Sequence, residues 1–131
     1  MRTIRVWREI DAPAHVLWDL LTDVDRWSTW GPSIRTAALR SAEFGPGATG
    51  TVVSFLGTRL RFEITDVEAG VRWGWRVAGI NATDHVIESS GADRCRVGFG
   101  VPWPAAPYLA VCLVGLRRLD RLAVATVAER S

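Results

Sequence analysis

Between Ile34 and Val101 the chain is punctuated at short intervals by turn residues: GPGATG, then Leu56-Gly57, Ala69-Gly70, Gly79 to Asn81 and Ser90-Gly91. The runs between these breaks are rich in Val, Ile, Phe, Trp and Thr, the residues that suit a pleated, half-buried surface. About six antiparallel strands fit this spacing, joined as a meander. A sheet of that kind needs something apolar laid over one of its faces, and this requirement governs how the rest of the chain is read.

The stretch VRWGWRVAG (Val71 to Gly79) shows which face needs cover. Alternate side chains of a strand point to opposite faces, so Trp73, Trp75 and Val77 share one side while Arg72 and Arg76 share the other. On the neighbouring runs the same alternation sets Leu60, Phe62 and Ile64, and then Thr83, His85 and Ile87, beside the tryptophans. Arg59, Arg61, Glu63, Asp84 and Glu88 fall on the opposite side with the arginines, where opposite charges can pair across strands for about a few tenths of a kcal/mol each.

The flanks supply the cover. Thr3 to Ile10 alternates as a strand, with Ile4, Val6 and Ile10 on the apolar side and Arg8 as an exception among them. Asp11-Ala12-Pro13 offers a cap candidate and an early-turn proline, after which Leu17, Leu20, Leu21 and Val24 recur at helical spacing. VDRWSTWGPS reads as a second short helix or turn ended by Gly31-Pro32. From Pro104 to about Glu129, Leu109, Leu113, Leu116, Leu119, Ala123 and Val127 recur every three or four residues, which predicts a long closing helix. The order is strand, two helices, six strands, long helix. One helix covers a seven-stranded antiparallel sheet incompletely, so the space between them holds large side chains or a cavity.

Composition excludes several functions. With 131 residues, of which 48% are hydrophobic, the chain is expected to form one domain over residues 1–131 with a substantial core. Sixteen basic residues face fourteen acidic ones, and every basic residue is Arg. Without lysine there is no Schiff base and no phosphate-loop lysine. The arginines alternate with carboxylates, so no basic face forms and nucleic acid is not an expected partner. Cys95 and Cys112 lack metal-type spacing and read as buried free thiols. Neither a zinc set, a dinucleotide fingerprint nor a nucleophile elbow can be assembled, and no cofactor is expected. MRTIRVWREI lacks the apolar run of a secretory leader, and the longest apolar run, from Tyr108 to Leu116, is short of the ~20 residues that span a bilayer, so no stable membrane insertion and a cytoplasmic location are expected.

IDAPAHVLWDLLTDVDRWSTW resembles the opening signature I-x-A-P-x-x-V-W-x-x-L-x-D…W of the polyketide cyclase/dehydrase branch of the START-like (SRPBCC) superfamily. GPGATGTVV, RFEITDVEAGVRWGW, DHVIE and the terminal GLRRLDRLAV follow in that family's order, so the resemblance covers nearly the whole chain. It implies an α+β helix-grip fold: a curved antiparallel sheet of about seven strands, ordered β-α-α-β6-α, wrapped around a long C-terminal helix with an internal apolar cavity. Such cavities receive lipids, sterols, polyketides or other hydrophobic molecules, and only some members catalyse a reaction, a cyclisation or dehydration in which polar groups of the pocket polarise a carbonyl. The implied partner is a small hydrophobic molecule. A carrier, or a regulatory module whose closing helix meets a protein partner, is the alternative.

The candidate ligand contacts are Trp30, Phe55, Phe62, Trp73, Trp75, His85, Leu109 and Leu113. Trp30 matches the signature's closing Trp. For Trp73 and Trp75, pocket lining competes with plain core filling. His85 is a hydrogen-bonding contact for a ligand oxygen, a group that moves a proton near neutral pH, or a core histidine satisfied by a neighbouring Thr or backbone group, and with Arg8 it is the candidate for catalysis if there is any. Arg8 either holds an acidic group of a ligand or pairs with a carboxylate at the end of its strand. His15 reads as a surface residue. Trp18 and Trp27 read equally as anchors for the helix pair.

Overall fold

A computed structural model describes residues 2–130. Seven strands form one antiparallel sheet: β1 (Thr3–Ile10), β2 (Ile34–Leu39), β3 (Thr49–Ser54), β4 (Arg59–Glu68), β5 (Arg72–Val77), β6 (Ile80–Gly91) and β7 (Arg94–Pro102). Their spatial order is β1-β7-β6-β5-β4-β3-β2. Strands β2 to β7 are thus a meander of sequential neighbours, as the turn punctuation requires. The first strand pairs with the last, Thr3 opposite Pro102 and Ile10 opposite Cys95. Register shifts between Ile64 and Asp66, between Gly74 and Arg76 and between Ser89 and Gly91 mark bulges, and such bulges bend and twist a sheet.

Between β1 and β2 the chain forms α1 (Ala14–Thr22), a 3-10 turn (Val24–Arg26) and α2 (Trp27–Trp30). Pro13, not Asp11, occupies the N-cap position of α1, and no side chain caps it. Asp11 instead pairs with Arg94 at 3.1 Å. The other end of α1 is satisfied from α2, where the indole N–H groups of Trp27 and Trp30 donate to the carbonyls of Leu21 (2.9 Å) and Leu20 (3.1 Å). These are among the last four carbonyls of the helix, which have no intrahelical donor. Two tryptophans are thereby fixed at the base of the sheet's inner face.

The closing segment begins as a 3-10 stretch (Trp103–Tyr108), and α3 runs from Leu109 to Arg130. The expected helix from Pro104 therefore starts late. Pro107 has no N–H to give, and Ala105 leaves helical geometry at φ −95°, ψ 17°. Helix α3 packs on β1, β7, α1 and α2 through Cys112, Gly115, Leu116, Leu119 and Ala123. The core between these layers contains Ile10, Leu17, Leu21, Trp27, Ile64, Trp73 and Val97, all essentially inaccessible to solvent.

The opposite face of the sheet carries the ion pairs. Arg5 pairs with Asp84, Arg72 with Asp66 and Arg96 with Glu88, while Arg76 reaches Glu63 at 3.7 Å and Arg94 reaches Glu9 at 3.4 Å. Trp7 lies on this face, with the Arg96 guanidinium 4.1 Å above its ring.

Candidate functional site

The inner face of β4, β5 and β6 is aromatic. Trp73 stacks on Trp27 with ring centroids 5.3 Å apart and planes 8° from parallel, and on His85 at 3.8 Å and 21°. Trp75, Phe62 and Phe44 meet the stacked rings edge-on or tilted. Phe62 can lie across β3 because residue 50 is glycine: a Cβ there would stand 2.4 Å from the Phe62 ring.

A directed chain of hydrogen bonds runs along one side of this cluster. The Trp75 indole N–H donates to Thr83 Oγ1 at 3.0 Å. Thr83 Oγ1 lies 3.4 Å from His85 Nε2, and His85 Nδ1 lies 3.2 Å from the Trp73 carbonyl oxygen. A carbonyl only accepts, so Nδ1 carries the hydrogen and Nε2 is the acceptor for the Thr83 hydroxyl. Burial pushes His85 down to about pH 4, against the opposing pull of its bond to the Trp73 carbonyl and the nearby Asp84 charge. The imidazole is therefore neutral at physiological pH. Among the described residues Trp73 Nε1 is a buried donor with no hydrogen-bond partner.

Two cavities meet at this chain. The inner one, of about 40 Å³, is lined by Trp27, Trp30, Trp73, His85 and Phe99 together with Val111, Cys112 and Gly115 of α3. The outer one, of about 360 Å³, is lined by Ile34, Val52, Leu60, Val77, Val101, Pro102 and Ala105, with Ser54, Asn81 and Ala82 at its edge. Ser33, Ile34, Trp75, Thr83 and Tyr108 belong to both, so the two are halves of one cleft between the sheet and the start of α3. The hydroxyls of Ser33 and Tyr108 are 2.7 Å apart and join the α2–β2 loop to the segment before α3. Burial raises the Tyr108 phenol above its ordinary value and takes the Cys112 thiol up to about 11. None of the residues lining either half carries a formal charge at neutral pH.

Of the residues singled out in the sequence, Trp30, Trp73, Trp75 and His85 come together on the cleft wall, and Phe62 is buried behind them against Trp27 and Trp75. Leu109 is half-buried against the core. Leu113 is 46% exposed and faces away, because Cys112, one residue earlier on α3, holds the inward position. Phe55 is 61% exposed at the tip of the β3–β4 turn, outside the cleft. Arg8 is not brought to the cleft either; its Nε bonds Asp120 of α3 at 2.7 Å. Cys95 and Cys112 are free and buried. Ser33 and Tyr108 were missed. The single tyrosine of the chain, set between a proline and the first helical leucine, was the available signal. Among the described residues no cluster of His, Cys, Asp or Glu has the makings of a metal site, and no helix is long and apolar enough to cross a membrane.

The fold is shared with several solved proteins at low sequence identity. XoxI from Bacillus cereus superposes with a TM-score of 0.74 at 12% identity, over 95% of this chain and 96% of that one. A protein from Thermobifida fusca gives 0.65 at 22% identity, over 88% and 85%. The di-domain ARO/CYC BexL from the BE-7585A biosynthetic pathway gives 0.74 at 12% identity, over 98% of this chain and 48% of BexL. No curated protein matches the sequence. The profile of the family described as polyketide cyclase/dehydrase and lipid transport matches residues 1–124, and with the helix laid over a seven-stranded sheet this places the chain in that family.

Proposed function

We propose that the protein binds a small, uncharged, largely apolar molecule in the cleft between α3 and the sheet, with a hydroxyl of that molecule donating to the remaining lone pair of Thr83 Oγ1 in the chain built by Trp75, Thr83 and His85. The observation that carries this reading is the make-up of the cleft. Its outer half has about 360 Å³ of space and mostly aliphatic walls, within the roughly 300–1,000 Å³ usual for small-molecule sites. The hydrogen-bonding groups sit at the junction with the inner half. A carboxylate or ammonium entering such a cleft would lose its hydration without gaining a counter-ion, which is strongly unfavourable. The unpaired indole N–H of Trp73, on a ring that lines the inner half, is a donor suited to a ligand oxygen. The family's description, which includes lipid transport, supports the same reading.

Binding is favoured over acid–base turnover because a histidine held at about pH 4 is a weak base at neutral pH. Cyclisation with loss of water is the second reading. It is supported by the family's other described activity, by the fold likeness to BexL, and by the Ser33 and Tyr108 hydroxyls, which stand in the cleft as donors able to polarise a carbonyl.

Calorimetric titration with naphthol and naphthoate, which share a ring system and differ in charge, tests the proposal. Naphthol is expected to bind saturably, and naphthoate more weakly by at least about tenfold at neutral pH, the equivalent of ~1.4 kcal/mol. Trp75→Ala should weaken naphthol. Equal or tighter binding of naphthoate, or no effect of Trp75→Ala, would overturn the reading.

A further inference from the structure

The antiparallel order puts the start of β1, β2, β4 and β6 and the end of β3, β5 and β7 at one end of the sheet. The outer cavity opens there, since Ser33, Ala105 and Tyr108 of its lining belong to the connections of that end and Ser54 and Asn81 to the strand ends beside them. Immediately beside these edge residues stand large apolar side chains in solvent: Phe55 (61% exposed), Leu56 (77%), Ile80 (71%) and Trp103 (58%). They come from two connections and the start of β6, and core packing explains none of them. Scattered single apolar residues on a surface are ordinary, but several gathered around one opening mark an interaction site.

The charges in the connections of that end are of one sign, and Asp84, which shares a hollow with Ile80 and Pro104, is paired with Arg5. The segments Arg2–Thr3, Gly31–Arg35, Ser54–Arg59, Val77–Asn81 and Pro102–Tyr108 contain Arg2, Arg35 and Arg59, all exposed, and no Asp or Glu. Helix α3 continues the pattern, with Leu113 and Val114 exposed on its first turns, Arg117 and Arg118 following, and no carboxylate before Asp120. At the opposite end the connections carry or adjoin both signs, Asp11, Glu43, Glu68 and Asp93 beside Arg40, Arg72 and Arg94. The connections of the open end are therefore cationic while those of the far end are mixed, although the formal charge is only +2.

We propose that the open end of the cleft docks on an anionic lipid surface. Phe55, Leu56, Ile80 and Trp103 enter the headgroup region and the surrounding arginines meet the lipid phosphates. Aromatic side chains favour that interface, and cations beside them add attraction to anionic headgroups. Docked in this way, the cleft would face the bilayer from which an apolar molecule could pass without crossing water. The docking goes beyond the ligand reading above and is measured without any ligand.

Sedimentation with phosphatidylcholine vesicles, with and without phosphatidylglycerol, tests it. The protein is expected to sediment with the phosphatidylglycerol vesicles, less at raised salt. The double substitution Phe55→Ser with Trp103→Ser should weaken this by about tenfold or more, and Arg2→Gln with Arg59→Gln should remove the preference for phosphatidylglycerol. All four residues are exposed, and circular dichroism checks that the variants remain folded. Failure to sediment with any vesicle overturns the proposal, as does sedimentation that neither pair of substitutions changes. Concentration-dependent dimers on size exclusion that Phe55→Ser dissolves would also overturn it, because the apolar rim would then be the seat of a second copy.

Discussion

His85 shows how one residue's surroundings set its chemistry. Enclosed by Trp73, Trp30 and Phe99, with one ring nitrogen committed to a carbonyl and the other facing Thr83, it has a defined tautomer and no charge. Its pKa falls from 6.5 in the unfolded chain to about 4 in the folded protein. Between those values the unfolded state binds the extra proton, so the stabilisation held above pH 6.5 is lost as pH falls toward 4. At ~1.4 kcal/mol per unit the loss approaches about 3 kcal/mol. Urea unfolding from pH 7 to pH 4 should show this slope in the wild type but not in His85→Gln, and the difference between the two curves removes the carboxylates common to both. Matching curves would mean that His85 gains access to water. Alternation in the sequence located His85, Thr83, Trp73 and Trp75 on one face. The bond from Trp75 to Thr83 was not legible, because it depends on the register shift after Gly74, which places Arg76 opposite Asn81 and leaves Thr83 to turn toward the indole. No local pattern announces a bulge.

At the scale of elements, α3 makes the cleft by presenting small residues. Cys112 and Gly115 face the inner cavity where a leucine repeat would place bulk. The sequence periodicity found the helix and its buried Leu116, Leu119 and Ala123 but misplaced Leu113, because Cys112 and Gly115, which carry little weight in such patterns, take the inward positions beside it. A Cβ on residue 115 would lie 3.4 Å from the Phe99 ring and 3.4 Å from the Trp30 carbonyl oxygen, which is ordinary contact with nothing to spare. Gly115→Ala should therefore be tolerated and gain up to about 1 kcal/mol from helix propensity. Gly115→Leu should overfill the contact and cost ~1–3 kcal/mol. Thermal unfolding of the two variants checks the sign of each, and a Leu variant as stable as the Ala one would show that α3 can retreat from the sheet. The indole caps on α1 were equally hidden. Trp27 and Trp30 were visible as large apolar residues, but their reach to the Leu20 and Leu21 carbonyls depends on the 3-10 turn that folds α2 back beneath α1.

For the whole molecule, the order of strands and helices was legible because glycine turns and hydrophobic period change together along the chain. The gathering of arginines without carboxylates in the connections of the open end was not, because segments far apart in sequence are brought to one end only when the strands fold antiparallel. The same strand order fixes when the fold can close. Thr3 has to find Pro102 and Ile10 has to find Cys95, so β1 stays without a partner in the sheet until β7 has been made. Strands β2 to β6 can pair as they emerge, but β7 and then β1 complete the sheet last, and α3 settles over it only after that. Pairing so distant in sequence is slow, and refolding from urea should fall in the roughly millisecond-to-second range of β-rich domains and not the microseconds of helical bundles. A stopped-flow measurement decides this. Until that final pairing the aromatic wall lies open on an unroofed sheet, so the surface that later receives a ligand is, for the newborn chain, the one most in need of protection from its neighbours.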